Sequence, residues 1–226
     1  MTTSPNDALV VKLLTAANQK ERIIDLKDAD FVFDFINSTH TAQGADGFIT
    51  VVNPASFPAL LTGGGAIGVG VIGPCGLNTP HIHPRGSEIQ INVGGGVLMA
   101  QFIQENSARV VNNLLPPGSA TVFPKGAIHF QQNLGCNPVT FIASFDSVDA
   151  GVSQVALNLF MLDKEVLSAT FNDIGVEFLD KLVVPPNIAL GAQSCFDRCG
   201  INRNKFVFKY VLNITTLLHS SNHHLS

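Results

Sequence analysis

Two histidines one residue apart, His81 and His83, followed by Glu88 and then by His129 in a separate segment, constrain this chain more than any other feature. Side chains on a β-strand repeat every second residue, so His81 and His83 project to the same side. Both can reach one ion. Glu88 follows His83 closely enough for a short bend to return its carboxylate to the same point, and His129 arrives from a distant strand. Three neutral nitrogens and one carboxylate oxygen suit a borderline-to-hard divalent ion such as Mn2+, with Fe2+ as the alternative, and leave coordination positions for water, oxygen or substrate. A lone strand histidine is ordinarily a hydrogen-bonded core or surface residue. His40, His219, His223 and His224 have no ligand-like context and read as solvated or tail residues.

The residues around these ligands sharpen the reading. Gly76 opens the run Gly-Leu-Asn-Thr-Pro-His, and Gly94, Gly95 and Gly96 follow Glu88 where a strand must turn sharply. From Gly118 to Asn133 the chain reads Gly-x5-Pro-x-Gly-x2-His-x3-Asn. The two segments together resemble the paired boxes of the cupin superfamily, and in detail those of germin-like and spherulin-like single-domain cupins. The resemblance implies an all-β jelly-roll barrel holding one manganese ion through His81, His83, Glu88 and His129, with these four also the catalytic set. It further implies a homo-oligomer, as dimer, trimer or hexamer, and gives Asn78 the place of a side-chain amide that contacts oxalate in germin. A second germin amide falls at Gly68 here, which has no side chain to donate.

Short apolar runs bounded by turns predict strands over 48–52, 66–72, 82–93, 97–105, 108–115, 120–124, 129–133 and 139–146, with a last strand over 151–160. Helical spacing of Leu9, Val10, Leu13, Leu14 and Ala17 predicts an amphipathic helix over 6–20, capped by Asn6 or Asp7. An extended segment over 21–34 is expected to cover a sheet. Further helices are expected over 163–169, 172–180 and 186–199. The chain thus divides into an N-terminal helix and arm (1–46), the β-barrel (47–162), a helical segment (163–200) that by resemblance clasps a neighbouring subunit, and a tail (201–226).

A net charge of −4 gives no basic footprint, which argues against nucleic acid as a partner. The apolar stretch 206–218 is too short to span a bilayer, so no membrane role is expected. Gly63, Gly64 and Gly65 are not followed by a phosphate-loop or dinucleotide signature. Cys75, Cys136, Cys195 and Cys199, with sequons at Asn37 and Asn213, suit an oxidising, secreted setting in which a signal segment has been removed. Cys75 and Cys136 flank the ligand segments and are a candidate pair, although spacing leaves the connectivity open.

The leading expectation is a manganese oxidoreductase acting on a small molecule, either oxidising oxalate or dismutating superoxide. Two alternatives stay open: a dioxygenase or lyase for an aromatic or secondary metabolite, and a non-enzymatic structural or storage protein. Gln90, Gln101, Gln131 and Asn133 are polar strand residues that either enter the interior or face solvent, while Phe102, Phe123 and Phe130 read as core.

Overall fold

A computed structural model describes residues 6–39, 42–185 and 187–208. His40, the three C-terminal histidines and Asn213 lie outside the described residues. Two short helices, α1 (Asp7–Thr15) and α2 (Gln19–Asp25), lead into the strands β1 (Ala42–Gly44), β2 (Gly47–Val51), β3 (Ala66–Ile72), β4 (Gly76–Ile82), β5 (Glu88–Gly94) and β6 (Leu98–Ile103). Then come β7 (Val111–Leu115), β8 (Ala120–Phe123), β9 (Ile128–Asn133), β10 (Val139–Phe145) and β11 (Ser153–Gln154). The chain continues through α3 (Val155–Leu159), α4 (Lys164–Thr170), α5 (Val176–Leu179), β12 (Ile188–Leu190) and α6 (Gln193–Arg198).

The strands form two antiparallel sheets, ordered β1-β2-β3-β10-β5-β8 and β11-β4-β9-β6-β7, with β12 extending the pairing along β4. This corrects the expected all-β closed barrel. Among the described residues no ladder joins the two sheets into a closed barrel, the edge strands β7 and β8 included, and the helices make the chain mixed α and β. Apolar residues from both sheets, among them Ile72, Leu98, Leu115, Phe123, Phe141 and Phe145, fill the space between them.

Period-2 alternation places the strands well inside the sheets but misreads their surroundings. The single expected N-terminal helix breaks at 16–18, where the Asn18 side chain accepts a hydrogen bond from Glu21 N at 3.1 Å and starts α2 in place of the expected extended segment. Leu13 and Leu26 bring the two helices together over Ala59. The last expected strand survives only as β11, and 155–159 turns into α3. Conversely, residues 188–190, expected to be helical, form β12 by pairing with β4. No helix among the described residues is long and apolar enough to cross a membrane.

The disulfides join Cys75 to Cys195 and Cys136 to Cys199, so the candidate Cys75–Cys136 pair does not form. Both tie α6 and its neighbourhood to the sheets. Each closes a long loop, of 120 and 63 residues, and such cross-links reduce the freedom of the unfolded chain most.

Candidate metal centre

The topology delivers the four ligand candidates from both sheets. His81 on β4 and His129 on β9 are direct cross-strand partners, so their side chains share the inner face of one sheet. Glu88 starts β5 in the opposing sheet, and His83 lies just beyond the end of β4. One donor atom from each of the four falls within 4.8 Å of the others, and all four side chains are buried.

β5 inverts the usual alternation: Glu88, Gln90 and Asn92 are buried, while Ile89 and Ile91 reach the surface. The interior at this end is built for polar chemistry. Gln131 and Asn133 on β9 are buried there too, whereas Gln101 is only half-buried. Asn78 Nδ2 donates to Gln131 Oε1 at 2.8 Å, and Gln131 Nε2 donates to Gln90 Oε1 at 2.7 Å, giving a chain of amides beneath the ligands. Asn133 donates to the carbonyls of Gly73 and Asn137 and so fixes the far end of β9.

Backbone carbonyls set the orientation of each imidazole. His81 Nδ1 meets Thr79 O at 2.8 Å, His129 Nδ1 meets Ala127 O at 2.9 Å, and His83 Nδ1 meets Gly151 O. A carbonyl can only accept, so each Nδ1 carries the hydrogen and each Nε2 turns a lone pair inward. Two of those nitrogens face Glu88 Oε2, at 3.0 Å from His83 and 3.3 Å from His129. Lone pairs converging on a carboxylate oxygen require a positive centre between them. One proton can serve a single contact, whereas a divalent ion serves all four donors at once. The donor set therefore fits a divalent metal.

The loop after β10 secures His83. Arg85 pairs with Asp149 at 2.8 Å and donates to its carbonyl, and Ser87 N donates to Asp146 Oδ1 at 2.7 Å. Gly151 adopts φ +68°, and a Cβ there would lie 2.6 Å from the Arg85 guanidinium, so glycine lets this loop close on the site. Phe123 stacks on His129 with ring centroids 4.3 Å apart, and Phe145 packs edge-on against His83 at 4.8 Å.

Electrostatics prepare the ligands for metal. Burial pushes the His81 imidazole down to about 3, helped by the neighbouring His129 and His83 and opposed by Glu88. Burial acting alone would raise the Glu88 carboxyl, but hydrogen bonds and charge from His129 and His83 outweigh it and hold the group down to about 2. Burial likewise opposes a charge on His83, yet the Glu88 hydrogen bond and charge, with the Gly151 carbonyl, draw its value up. Without an ion, Glu88 is an anion and His81 is neutral. Metal binding would displace the proton that His83 shares with Glu88.

A cavity of about 180 Å³ opens onto His81, His83 and Glu88. Its walls are mainly apolar, including Val51, Phe141 and Phe145, with Asn78 and Gln154 as polar points. Sequence reasoning placed Asn78 at the site but missed Phe141, Phe145 and Gln154. Alternation along β10 could have found the two phenylalanines. Gln154 needed knowledge of which strand lies beside β4.

Fold and site together define a two-sheet protein with an inter-sheet cluster suited to one divalent metal ion. The chain belongs to the cupin family, whose model matches residues 35–175. It is 40% identical to Spherulin-1A of Physarum polycephalum over 197 residues, covering 86% of this chain and 80% of that one. It is 33% identical to a germin-like protein of Mesembryanthemum crystallinum over 203 residues, covering 87% and 79% of the two chains. A solved structure of oxalate oxidase superposes with a TM-score of 0.62 at 25% identity, over 68% of this chain and 79% of that one.

Proposed function

We propose that this protein is a manganese-dependent oxidoreductase acting on oxalate or a closely similar small carboxylate, with superoxide as the other small substrate of its class. The observation that carries the reading is the convergence of three inward-facing Nε2 atoms and the Glu88 carboxylate beside a small cavity. Likeness to a solved oxalate oxidase supports the same reading. His81, His83, Glu88 and His129 would hold the ion. When bound, manganese supplies Lewis acidity and one-electron redox chemistry. The protein's own contribution is to aim four donors at one point, to shield the site behind Phe141 and Phe145, and to present Asn78 toward a ligand. Oxalate oxidation balances as oxalate plus O2 plus two protons giving two CO2 and one H2O2.

Pocket size argues against the metabolite-cleaving alternative. Sites for drug-sized ligands occupy about 300–1,000 Å³, and this cavity is about 180 Å³. A small carboxylate suits it better than an aromatic metabolite.

The two disulfides and the exposed Asn37 sequon support a secreted, glycosylated protein. Ile67, Ile89, Ile91 and Val122 on the outer face of the first sheet support a homo-oligomer that covers them.

Protein loaded with Mn2+ to one ion per chain should consume O2 and release CO2 and H2O2 when given oxalate. The same preparation in Fe2+ tests the metal preference. Full metal occupancy with no turnover of oxalate or superoxide would leave the storage-protein alternative in its place.

A further inference from the structure

We propose that Gln154 is the second ligand-orienting amide of the cavity, holding the carboxylate end of a small dicarboxylate that points away from the metal centre. The inference rests on the functional reading above. One amide is supplied by Asn78, but a dianion held at only one remote point can swing.

Gly68 cannot supply the second donor. A Cβ there would lie 3.0 Å from Val51 Cγ2 and 3.3 Å from Thr50 O, so the position faces the neighbouring strand β2. Gln154 occupies a better place. It is the direct cross-strand partner of His81 on β4, and opposed residues of an antiparallel pair carry their side chains to the same face. It lines the cavity beside His81 and is 8% exposed.

The orientation of its carboxamide is set from outside the site. Thr79 Oγ1 donates to Gln154 Oε1 at 2.7 Å, and the same hydroxyl lies 3.1 Å from Asn187 O. Anchoring Oε1 leaves Nε2 as the free end, and among the described residues no hydrogen bond reaches it. Asp149, also in the lining, is an anion paired with Arg85 that would repel a carboxylate, and Gln154, unlike Asn53 and Asn187 of the same lining, is the direct cross-strand partner of a ligand candidate. An N–H on the cavity lining with no protein partner among the described residues is a donor that an entering carboxylate oxygen can satisfy.

The test measures oxalate binding to the Mn2+-loaded full chain by calorimetry, with azide as a small anion that needs only the metal. Gln154→Leu should weaken oxalate about 10- to 100-fold, and the isosteric Gln154→Glu, which places a like charge beside the dianion, should weaken it at least as much. Metal content should match the wild type in both, and azide affinity should match it in Gln154→Leu, which adds no charge. Oxalate affinity within about threefold of wild type in both variants would overturn the inference and leave the functional reading standing. Loss of metal or fold in both variants would make Gln154 structural and overturn it as well. A wild-type protein that binds azide but not oxalate would sink the functional reading, and this inference with it.

Discussion

His83→Ala should lose its metal. The imidazole supplies one of four donors, and its Nε2 makes the closer of the two contacts to Glu88 Oε2, at 3.0 Å. Removing an outer partner of a metal ligand already costs about 10–100-fold in affinity. Loss of a ligand should therefore cost about 100-fold or more, enough to strip the ion during purification in mild chelator. Glu88→Gln should act as strongly by a different route, because it keeps the shape but removes the only anion among the four donors. Elemental analysis after dialysis measures both. Wild-type protein should also gain thermal stability with added Mn2+, since the ion binds the folded chain, and the variants should not. Full metal content in His83→Ala would remove this residue from the site.

Asp46→Asn should remove a large component of the pH dependence of stability. Asp46 lies in the tight turn between β1 and β2, and its carboxyl tucks against Gly73 and Gly76. A Cβ on Gly73 would come 1.9 Å from Oδ1, so glycine makes the space. Asp46 is fully buried, and among the described residues neither carboxyl oxygen has a hydrogen-bond partner. Burial pushes the group up from 3.8 to about 8. The folded protein then keeps a proton that the unfolded chain releases. The contribution of this carboxyl to stability is full below pH 3.8 and is lost as pH rises to about 8, by up to about 1.4 kcal/mol per pH unit. The buried His81 acts in the opposite sense below pH 6.5 in wild type and variant alike, so the difference between the two isolates Asp46. Chemical denaturation of metal-free protein from pH 5 to 8 measures the slope. The asparagine variant keeps a similar volume with nothing to ionise, and should differ from wild type by that slope. Equal slopes would mean that the carboxyl is already ionised near pH 5.

The ligand set was legible because it is local twice over. His81 and His83 share a strand face by period, Glu88 follows within one bend, and His129 sits in a segment whose glycine and proline fix its turns. Nothing in that reasoning needed the fold. What escaped depends on tertiary neighbours. Val155 to Leu159 reads as an apolar strand, and only its position beyond the sheet edge lets it coil into α3. Ile188 to Leu190 reads as helical, yet the free edge of β4 recruits it as β12. Cys75 is nearer in sequence to Cys136, but α6 docks against the sheet and brings Cys195 to it instead. Gln154 and Asp46 were silent for the same reason, since one is defined by the strand opposite it and the other by two glycines in a different turn. Closure of the barrel failed for a related cause. Alternation predicts strands and their inward faces, whereas whether β7 and β8 join by a ladder is decided by backbone geometry that composition does not encode.

The most direct measurement is anomalous scattering from a crystal of the full chain grown with Mn2+. One peak per chain is expected between the sheets, about 2.0–2.4 Å from Nε2 of His81, His83 and His129 and from a Glu88 carboxylate oxygen. Nδ1 of each ring should still face its backbone carbonyl. An ion bound elsewhere, or a well-ordered cluster that excludes manganese at millimolar concentration, would contradict the account.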